Sequence, residues 1–342
     1  MKPGPVAVAF SGGKDSTAAI MMLREQGHDV RALTMRLGLA AEEEQLARID
    51  KLARVLAVSW DVVDVRPAFQ ERVLDHFVNA YRRGLTPNPC VQCNRHVKFG
   101  LLLAGMRRSS PEGFFATGHY ADKVRSGGRW FLREPLDRGK SQIYFLAMIE
   151  PAALDRILFP LAGMTVAQVR GKVAGLPLAN MKESQDVCFL QGGDLAAFLA
   201  RHAPDGFAAG DFLDPAGNRI GRHNGALHFT VGQRRGTGHA SDRRLYVVGR
   251  DLAANTVTLG DESRLYAGSL TAKDPVFWRP LRVGEELSVK VRYQLRGHAA
   301  VIRDIGGNRI RAVFKEPVRA VTPGQLAVFY DGDIIVAAGE IV

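Results

Sequence analysis

The stretch from Val6 to Ser16 constrains the fold of this chain more than any other. Five apolar residues lead into Ser11-Gly12-Gly13-Lys14-Asp15-Ser16, and a helical pattern of apolar residues begins directly afterwards. The glycines let the backbone approach an anion without a Cβ in the way, and the helix N-terminus presents N–H groups and a positive dipole end. The junction therefore predicts a nucleotide phosphate site. An ordinary strand-to-helix turn capped by Ser or Asp would use the same residue types.

The side chains of this loop have a chemistry that suits a nucleotide. Ser11 and Ser16 offer hydroxyl donors, Lys14 offers a cation, and Asp15 offers a carboxylate that can hold a Mg²⁺ ion bridging phosphate oxygens. The candidate nucleotide-binding residues of this stretch are Ala9, Phe10, Ser11, Gly12, Gly13, Lys14, Asp15 and Ser16.

Charge and composition narrow the class of protein. The 342 residues suffice for two or three domains, and a content of 46% hydrophobic and 24% charged residues is typical of a globular protein. A net charge of +11 favours a polyanionic partner, although a proteome of generally basic composition would give the same value. No apolar run approaches the roughly 20 residues of a membrane span, and the N-terminus is a poor signal peptide. We expect a cytoplasmic protein without a membrane partner.

Strands and helices alternate in the first part of the chain. The pattern predicts a helix over 15–26 that stops at Gly27, and strands over 30–35, 60–65 and 114–117. Such alternation predicts an α/β fold with a doubly wound parallel sheet, whose ligands bind at the carboxyl ends of the strands. Gly12, Met35 and Gly118 would all lie at that edge.

The pattern changes near residue 205, where helical periodicity gives way to short β-like runs separated by glycine. Predicted strands lie over 211–213, 226–231, 245–248 and 256–259. Five or six further strands from about Thr271 onward indicate a small β-barrel. We therefore predict three domains, over residues 1–204, 205–270 and 271–342.

Three cysteines are too few for a disulfide scaffold in a chain of this length. Cys90 and Cys93 lie in a loop that the prolines of Thr86-Pro87-Asn88-Pro89 make stiff, and Cys188 lies far away in sequence. A Cys-x-x-Cys pair can be a redox couple, half of a zinc site or part of an iron–sulfur site, and inert buried cysteines are a further alternative.

Motifs along almost the whole chain resemble those of the tRNA-specific 2-thiouridylases, a family of the ATP-pyrophosphatase superfamily that the Ser-Gly-Gly-x-Asp-Ser loop marks. The matching motifs are Ser11–Ser16, Thr86-Pro87-Asn88-Pro89, Cys93-Asn94, Lys98-Phe99, Ala116-Thr117-Gly118-His119-Tyr120, Gln142, Tyr144-Phe145-Leu146, Ser184, Cys188-Phe189, Thr230-Val231-Gly232-Gln233-Arg234-Arg235-Gly236, Arg292-Tyr293 and Glu316–Gln325. The resemblance implies an adenine-nucleotide alpha-hydrolase-like catalytic domain, a β-rich central domain and a C-terminal β-barrel.

This resemblance also implies an activity. In the family, ATP adenylates the 2-oxygen of the wobble uridine, position 34 of tRNA, and a persulfide sulfur displaces AMP to give 2-thiouridine. Coupling the oxygen to AMP makes it a better leaving group, and the loop with its Mg²⁺ stabilises the departing pyrophosphate. The loop lacks the Gly-x-x-x-x-Gly-Lys-Ser/Thr pattern of NTPases that transfer the γ-phosphate. The expected cofactors are ATP and Mg²⁺.

Roles for individual residues follow from the same resemblance. Cys188 carries the persulfide, Cys93 releases the sulfur and ends disulfide-bonded to Cys188, and Asp15 completes the catalytic set. Met35 and Gly118 flank the adenosine. The tRNA contacts are Asn88, Pro89, Cys90, His119, Lys140, Ser141, Gln142, Arg292, Tyr293 and Gln325. The expected partners are the anticodon stem-loop of tRNA and a sulfur-relay protein or cysteine desulfurase as persulfide donor.

Several positions depart from the family pattern. Lys14 stands where the 2-thiouridylases usually have an apolar residue, Ser141 and Ile143 interrupt the usual Lys-Asp-Gln-Ser-Tyr-Phe-Leu run, and the aromatic residue that often follows the second strand is missing after Met35. Cys90 occupies a position that is Asp in some members and Cys in others. With Cys90, three thiols are present, and Cys90, Cys93 and Cys188 could instead hold a [4Fe–4S] cluster by three corners. That cluster is the main mechanistic alternative.

Two other classes of function share part of these features. An ATP-pyrophosphatase that amidates or thiolates a small molecule would keep the loop but have little use for basic β domains. A non-enzymatic RNA-binding protein would keep the charge but not need Asp15, Cys93 and Cys188.

Overall fold

The computed structural model describes residues 4–178, 187–190, 194–293 and 296–342, and the chain divides into two compact units. The first unit consists of Met1–Val73, Cys90–Gln185 and Gly332–Val336, and the second of Leu74–Pro89, Asp186–Asp331 and Ala337–Val342. Both units are discontinuous in sequence. The Thr86-Pro87-Asn88-Pro89 segment belongs to the second unit, although it lies in sequence between two parts of the first.

Helical segments occur in both units. In chain order they are α1 (Lys14–Glu25), α2 (Glu42–Val55), α3 (Arg66–Phe69), a π-helical segment (Gln70–Asp75), α4 (His76–Arg82), α5 (Pro89–Gln92), a second π-helical segment (Cys93–Leu102), α6 (Leu103–Ser109), α7 (Ile143–Leu146), α8 (Val166–Lys172) and α9 (Leu195–His202). The helix predicted over 15–26 is found as α1, and Gly27 follows it with a φ of 83°, a value that glycine adopts without strain.

The first unit is built around a five-stranded parallel sheet. Up to residue 158 the unit contains, in chain order, β1 (Pro5–Ala9), β2 (Asp29–Arg36), β3 (Ser59–Asp64), β4 (Phe114–Thr117), β5 (Asp122–Ser126), β6 (Arg129–Arg133) and β7 (Ile157–Leu158), of which β5 and β6 lie outside the parallel sheet. The order in the sheet is β3-β2-β1-β4-β7, and each neighbouring pair is parallel. The α/β fold with a doubly wound parallel sheet is confirmed.

Strand β1 is central because its apolar residues are buried on both faces. Val6 and Val8 pack in one cluster with Ile20 of α1 and Ile49 of α2. The chain leaves β1 between β2 and β4, which lie on its two sides, so the loop after Phe10 opens at the switch point of the sheet, where α/β folds bind ligands.

The hairpin of β5 and β6 was not predicted from the sequence. Gly127 and Gly128 connect its strands with φ values of 54° and 78°, the conformation of a two-residue Gly-Gly turn. Strand β6 also pairs with the chain at Ile334, through Arg133.

The second unit contains a small sheet and most of a closed barrel, since residues 334–336 of β17 belong to the first unit. The remaining strands are β8 (Gly210–Leu213), β9 (Arg219–His223), β10 (Tyr246–Asp251), β11 (Thr256–Gly260), β12 (Tyr266–Phe277), β13 (Glu286–Lys290), β14 (His298–Gly306), β15 (Arg309–Arg319), β16 (Leu326–Asp331) and β17 (Ile334–Ile341). The small sheet has the order β10-β11-β8-β9. The barrel has the order β12-β15-β14-β13-β16-β17 and closes through pairing of β12 with β17. The predicted C-terminal barrel is confirmed.

One predicted strand is wrong. Residues 226–231 do not form a strand, because Ala226–His228 form a 3₁₀ turn after Gly225, whose φ is 124°. The apolar run is buried all the same, since Ala226 and Phe229 pack with Phe212 in the core of the small sheet. The short apolar run over 226–231 therefore indicates a buried segment and not a strand.

The predicted domain boundaries at 204/205 and 270/271 stay a prediction. No helix among the described residues has the length and apolar character that a membrane span requires. Cytoplasmic location also stays a prediction.

Candidate active site

The glycine-rich loop of the first unit is organised by its two serines. Ser16 donates from its hydroxyl to the carbonyl of Gly13 over 3.1 Å and accepts from the backbone N–H of Ser11 over 3.4 Å. The two hydroxyls lie 3.3 Å apart, and the Ser11 hydroxyl accepts from the N–H of Gly13 over 3.4 Å. Serine hydroxyls therefore hold the shape of the loop.

Of the two glycines of this loop, Gly12 is the one that the backbone geometry requires. Gly12 has a φ of 74°, and a Cβ there would lie 2.9 Å from Cγ1 of Ile49. Gly13 is the N-cap of α1 and provides no side-chain cap, so the first turn of this 12-residue helix offers its positive end to an anion. Lys14 and Asp15 lie in that first turn, and both are partly exposed.

Gly118 approaches this loop from the end of β4. A Cβ on Gly118 would lie 2.6 Å from the carbonyl carbon of Asp15 and 2.6 Å from the backbone nitrogen of Ser16. Two residues later, the Tyr120 hydroxyl donates to Oδ1 of Asp15 over 3.2 Å. The Gly118-His119-Tyr120 motif therefore contacts the loop through both backbone and side chain, a role that the sequence analysis did not assign.

Gln142 fixes this motif in turn. The side-chain oxygen of Gln142 accepts from the backbone N–H of Tyr120 over 2.9 Å, and the backbone N–H of Gln142 donates to the carbonyl of Tyr120 over 2.8 Å. Ser141 is 7% exposed, and Lys140 is partly exposed at the end of a short 3₁₀ turn. The structure thus places Gln142 beside the loop motif and not on an open surface.

The remaining nucleotide-site candidates lie on the two strands that flank the loop. Ala9 ends β1, and Phe10 is buried with its carbonyl accepting from the Thr34 hydroxyl over 2.9 Å. Met35 is partly exposed near the carboxyl end of β2. Gly12, Met35 and Gly118 thus follow or end neighbouring strands at one edge of the sheet, as the sequence predicts.

Cys93 begins the π-helical segment Cys93–Leu102. A π-helix makes hydrogen bonds from residue i to i+5, so Lys98 lies one turn after Cys93 on the same face. Burial raises the pKa of the Cys93 thiol above its ordinary value, and the Lys98 cation acts in the opposite direction. Cys90 is exposed as a residue, but desolvation of its thiol also raises the pKa of that thiol, again opposed by Lys98. Cys90 and Cys93 are free thiols.

Phe99 and Asn94 fix the orientation of this segment. Phe99 packs edge-on against Phe115 at a centroid distance of 5.8 Å, and Nδ2 of Asn94 donates to the carbonyl of Phe145 over 3.1 Å. The ring of His119 lies 5.9 Å from that of Phe99. In each of these two motifs one side chain, Asn94 or Phe99, anchors the segment. The other side chain, Cys93 or Lys98, supplies the thiol or the cation.

His119 is held neutral. Burial and the Lys98 cation both lower its pKa well below the ordinary value of an imidazole, and Nδ1 lies 2.8 Å from the Thr117 hydroxyl. A neutral imidazole cannot attract a phosphate electrostatically, but it can accept or donate a hydrogen bond.

In the second unit, the barrel fixes the Thr86-Pro87-Asn88-Pro89 loop. The N–H of Thr86 donates to the carbonyl of Pro323 over 2.9 Å, and Nε2 of Gln325 donates to the carbonyl of Thr86 over 2.8 Å. Asn88 is partly exposed, and Pro89 is buried. The structure therefore places Gln325 against the loop that carries Asn88 and Pro89, two other predicted tRNA-contact residues.

Arg292 lies close to the same barrel turn. Its Nη2 donates over 2.6 Å to the hydroxyl of Thr322, which itself donates to the carbonyl of Ala320 over 2.8 Å. A Cβ on Gly232 would lie 3.9 Å from Nη2 of Arg292, and Tyr293 follows as a partly exposed residue. The Thr230–Gly236 motif, Arg292 and the Thr322–Gln325 turn thus form one neighbourhood, although they lie far apart in sequence.

Cys188 is exposed on a turn, while its neighbour Phe189 is buried. The Phe189 ring packs against Phe77 of α4 at 5.2 Å and against Phe198 of α9 at 4.9 Å. The aromatic anchor therefore fixes the turn that presents the thiol. Cys93 belongs to the first unit and Cys188 to the second, and their pairing stays a prediction. Ser184 lies outside the described residues.

Comparisons with known proteins give the family. A family model described as "tRNA methyl transferase HUP domain" matches residues 4–192, and models described as "tRNA methyl transferase PRC-barrel domain" and "Aminomethyltransferase beta-barrel domain" match residues 196–261 and 267–341. A "tRNA-specific 2-thiouridylase MnmA" from Pelotomaculum thermopropionicum is 40% identical over 100% of this chain and 98% of that protein. The chain belongs to the tRNA-specific 2-thiouridylase family.

Other relatives agree with this membership. A 2-thiouridylase from Acidithiobacillus ferrooxidans is 38% identical over 98% of this chain and 97% of that protein. Among solved structures, an NMN synthetase from Francisella tularensis has a TM-score of 0.34 at 15% identity and covers 52% of this chain and 66% of that one. The two 2-thiouridylases confirm the resemblance stated from the motifs, and the solved structure adds nothing to that argument.

For a 2-thiouridylase, the loop geometry fits ATP and Mg²⁺. The helix N-terminus suits phosphate oxygens, and a carboxylate oxygen of Asp15 is the ligand type that Mg²⁺ prefers. Within the described residues, no group of three His, Cys, Asp or Glu side chains is arranged to hold a metal ion. The [4Fe–4S] alternative on Cys90, Cys93 and Cys188 therefore gains no support.

Sequence reasoning missed three contacts of this 2-thiouridylase. Lys98 acts on both thiols of the first unit, Tyr120 contacts Asp15, and Arg250 contacts the loop before Thr86. The five-residue spacing of Cys93 and Lys98 could have indicated the first only if a π-helix had been expected. The other two contacts join distant parts of the sequence, and no local pattern indicates them.

Proposed function

We propose that this chain is an ATP-dependent tRNA sulfurtransferase that converts the wobble uridine, position 34, to 2-thiouridine with release of AMP and pyrophosphate. The observation that carries the proposal is the glycine-rich loop in front of α1, whose uncapped N-terminus lies beside the Asp15 carboxylate. Family membership supports the choice of tRNA and of sulfur, since the relatives are named for 2-thiouridine formation in tRNA.

The first step is adenylation. The uridine O2 attacks the α-phosphorus of ATP, and pyrophosphate leaves, so that the oxygen becomes part of an AMP ester. The backbone of Gly12 and Gly13 and the hydroxyls of Ser11 and Ser16 would bind the phosphates, and Asp15 would hold Mg²⁺. When bound, that ion supplies positive charge next to the leaving pyrophosphate.

The second step transfers sulfur. The terminal sulfur of a Cys188 persulfide attacks C2, and AMP leaves with the original oxygen. Cys93, as thiolate, then attacks Sγ of Cys188, which breaks the S–S bond to the transferred sulfur and leaves a Cys93–Cys188 disulfide. An external dithiol returns this disulfide to two thiols, and a persulfide donor, either a relay protein or a desulfurase, reloads Cys188.

Binding of tRNA would use residues from both units. The neighbourhood of Asn88, Pro89 and Gln325 would lie beside the target base with Cys90, and Arg292 and Tyr293 would contact the RNA. Lys140, Ser141, Gln142 and His119 complete the proposed set. Because Ser141 is buried and His119 is only partly exposed, we propose that they act on the RNA mainly through the conformation of this segment.

A two-product assay tests the adenylation proposal. Purified protein, tRNA transcript and ATP labelled at the α- and γ-phosphates should give AMP and pyrophosphate but no inorganic phosphate or ADP. Asp15→Asn should abolish pyrophosphate release. ADP formation, or no dependence on tRNA, would contradict the proposal. Activity should also fall steeply between 50 and 200 mM salt, as it does for binding to polyanions.

Separate cysteine variants test the sulfur step. Cys188→Ala and Cys93→Ala should release pyrophosphate and yet form no 2-thiouridine, as measured by mass spectrometry of digested tRNA. Cys90→Ala distinguishes the two routes: it should still form 2-thiouridine, since the persulfide route places Cys90 beside the target base but takes no sulfur chemistry from its thiol. Loss of activity together with iron in Cys90→Ala after anaerobic purification would replace the persulfide route with the cluster route.

A further inference from the structure

Arg250 of β10 contacts the chain just before the Thr86-Pro87-Asn88-Pro89 loop. Its Nη2 donates to the carbonyl of Leu85 over 2.8 Å and to the carbonyl of Gly84 over 3.1 Å, and its Nε donates to the same Gly84 carbonyl over 3.2 Å. Its Nη1 donates to the carbonyl of Phe229 over 2.6 Å. One guanidinium therefore ties two successive loop carbonyls to the small sheet.

The acceptors of Arg250 are neutral oxygens and not carboxylates. Besides the carbonyls, Nη2 lies 3.4 Å from the Thr86 hydroxyl, and the guanidinium lies 5.6 Å from the centre of the Tyr81 ring. Removing a cation from water costs free energy, which multiple well-placed acceptors offset. Only an arginine presents several N–H donors in a rigid fork that can reach separate carbonyls at once.

The barrel holds the same segment from a second direction. Pro323 and Gln325 bind the N–H and the carbonyl of Thr86. Gly324, with a φ of 90°, has no room for a side chain, since a Cβ there would lie 2.7 Å from the backbone nitrogen of Thr86. Residues 84–86 are thus fixed by Arg250 and by the Pro323–Gln325 turn together.

We propose that Arg250 is a positioning residue for thiolation, because it fixes Gly84–Thr86 and thereby the direction in which Asn88 meets the target base. Proline at positions 87 and 89 restricts the backbone on both sides of Asn88. A displacement at Gly84 or Leu85 is therefore carried on to Asn88 and is not absorbed by the loop. The inference rests on the proposed function, since it assumes that Asn88 lies beside the base.

Kinetics of Arg250→Lys and Arg250→Gln test the inference. Lysine keeps the charge but loses the fork, and glutamine keeps one donor group without charge. We expect kcat for thiolation to fall about 10- to 100-fold in both variants, because a misplacement of about 1 Å near reacting atoms has effects of this size. The KM for tRNA and the Kd for ATP should change less than about twofold.

Arg279→Lys is the matched control. Arg279 also has multiple partners, Glu285, Asp331 and the carbonyl of Pro280, but it does not contact residues 84–86. It should keep the wild-type kcat. An equal fall in Arg279→Lys, or wild-type kcat in a folded Arg250→Lys, would overturn the inference. So would a change in KM and ATP affinity that parallels the fall in kcat, since that result would indicate general loss of structure.

Trypsin cleavage reports on the loop without relying on activity. Arg83 is exposed immediately before Gly84, and release of the loop should speed cleavage at this bond about tenfold in Arg250→Gln. Unchanged cleavage would overturn the positioning role. If cleavage accelerates while the wild-type protein forms no 2-thiouridine, the tether is upheld and the proposed function fails.

Discussion

Alanine at position 118 should damage the nucleotide site although it adds only one carbon. Its Cβ would lie 2.6 Å from the carbonyl carbon of Asp15 and from the backbone nitrogen of Ser16, and 2.9 Å from the Asp15 carbonyl oxygen. All three are backbone atoms, so no flexible side chain can turn away. To reach the 3.4 Å at which ordinary van der Waals contact begins, β4 and the loop must separate by about 0.8 Å.

The size of the effect follows from that separation. Forcing a carbon into packed backbone costs about 1–3 kcal/mol. The loop can relieve part of this strain by moving away from the phosphate position, which transfers the cost to nucleotide binding. At 1.4 kcal/mol for each factor of ten, we expect ATP affinity to fall about 5- to 100-fold and pyrophosphate release to fall at least as much.

Titration calorimetry with a non-hydrolysable ATP analogue measures this affinity in the full-length protein. Gly171→Ala in α8 is the control, because Gly171 has nothing within 4 Å of an added Cβ and alanine favours a helix by up to about 1 kcal/mol. Gly118→Ala with wild-type ATP affinity and wild-type turnover would refute the reasoning, since the contact at 2.6 Å would then impose no cost on the site.

Three further predictions concern single side chains of the first unit. Tyr120→Phe should weaken binding of ATP with Mg²⁺ about fivefold but leave binding in EDTA unchanged by calorimetry, because the lost hydroxyl orients Asp15 at a cost of about 1 kcal/mol. Lys98→Met should raise the pKa of Cys93 further, so that iodoacetamide alkylation, followed by mass spectrometry, starts at higher pH; an unchanged profile would contradict this. In the wild type, the unfolded chain binds a proton at His119 below about pH 6.5 that the folded chain excludes, so the free energy of unfolding falls as the pH falls. His119→Gln should reduce this dependence. Denaturant titrations from pH 7 to 5 should show a slope of the free energy of unfolding against pH that is smaller by up to about 1.4 kcal/mol per pH unit.

Local patterns in the sequence were sufficient for the parallel sheet and the C-terminal barrel, but not for the hairpin of β5 and β6. The strand before Ser11 and the helix ending at Gly27 could be predicted because apolar spacing and glycine act on neighbouring residues. The apolar run at 226–231 was misread as a strand because an extended strand and a buried 3₁₀ turn both place consecutive apolar residues in a core. Burial could be predicted there, but the hydrogen bonding that distinguishes the two could not.

Some residues of the candidate site could likewise be predicted from local sequence, and others could not. The loop residues from Ser11 to Ser16 could be predicted as a unit because they bind one another. The roles of Tyr120 and Arg250 could not, because their partners Asp15 and Leu85 are 105 and 165 positions away in sequence. Lys98 was visible only as part of a motif, since its effect on Cys93 depends on a π-helical turn that residue type does not predict.

Burial and the Lys98 cation both act on two titratable groups, the Cys93 thiol and the His119 imidazole. At Cys93, burial favours the neutral thiol and Lys98 favours the thiolate, so the two effects oppose each other. At His119, burial and Lys98 both favour the neutral imidazole, so the effects add. Lys98 therefore promotes loss of a proton from either group. Because His119 stays neutral, Cys93 is the one of these two side chains whose ionisation changes when the cation or the burial changes.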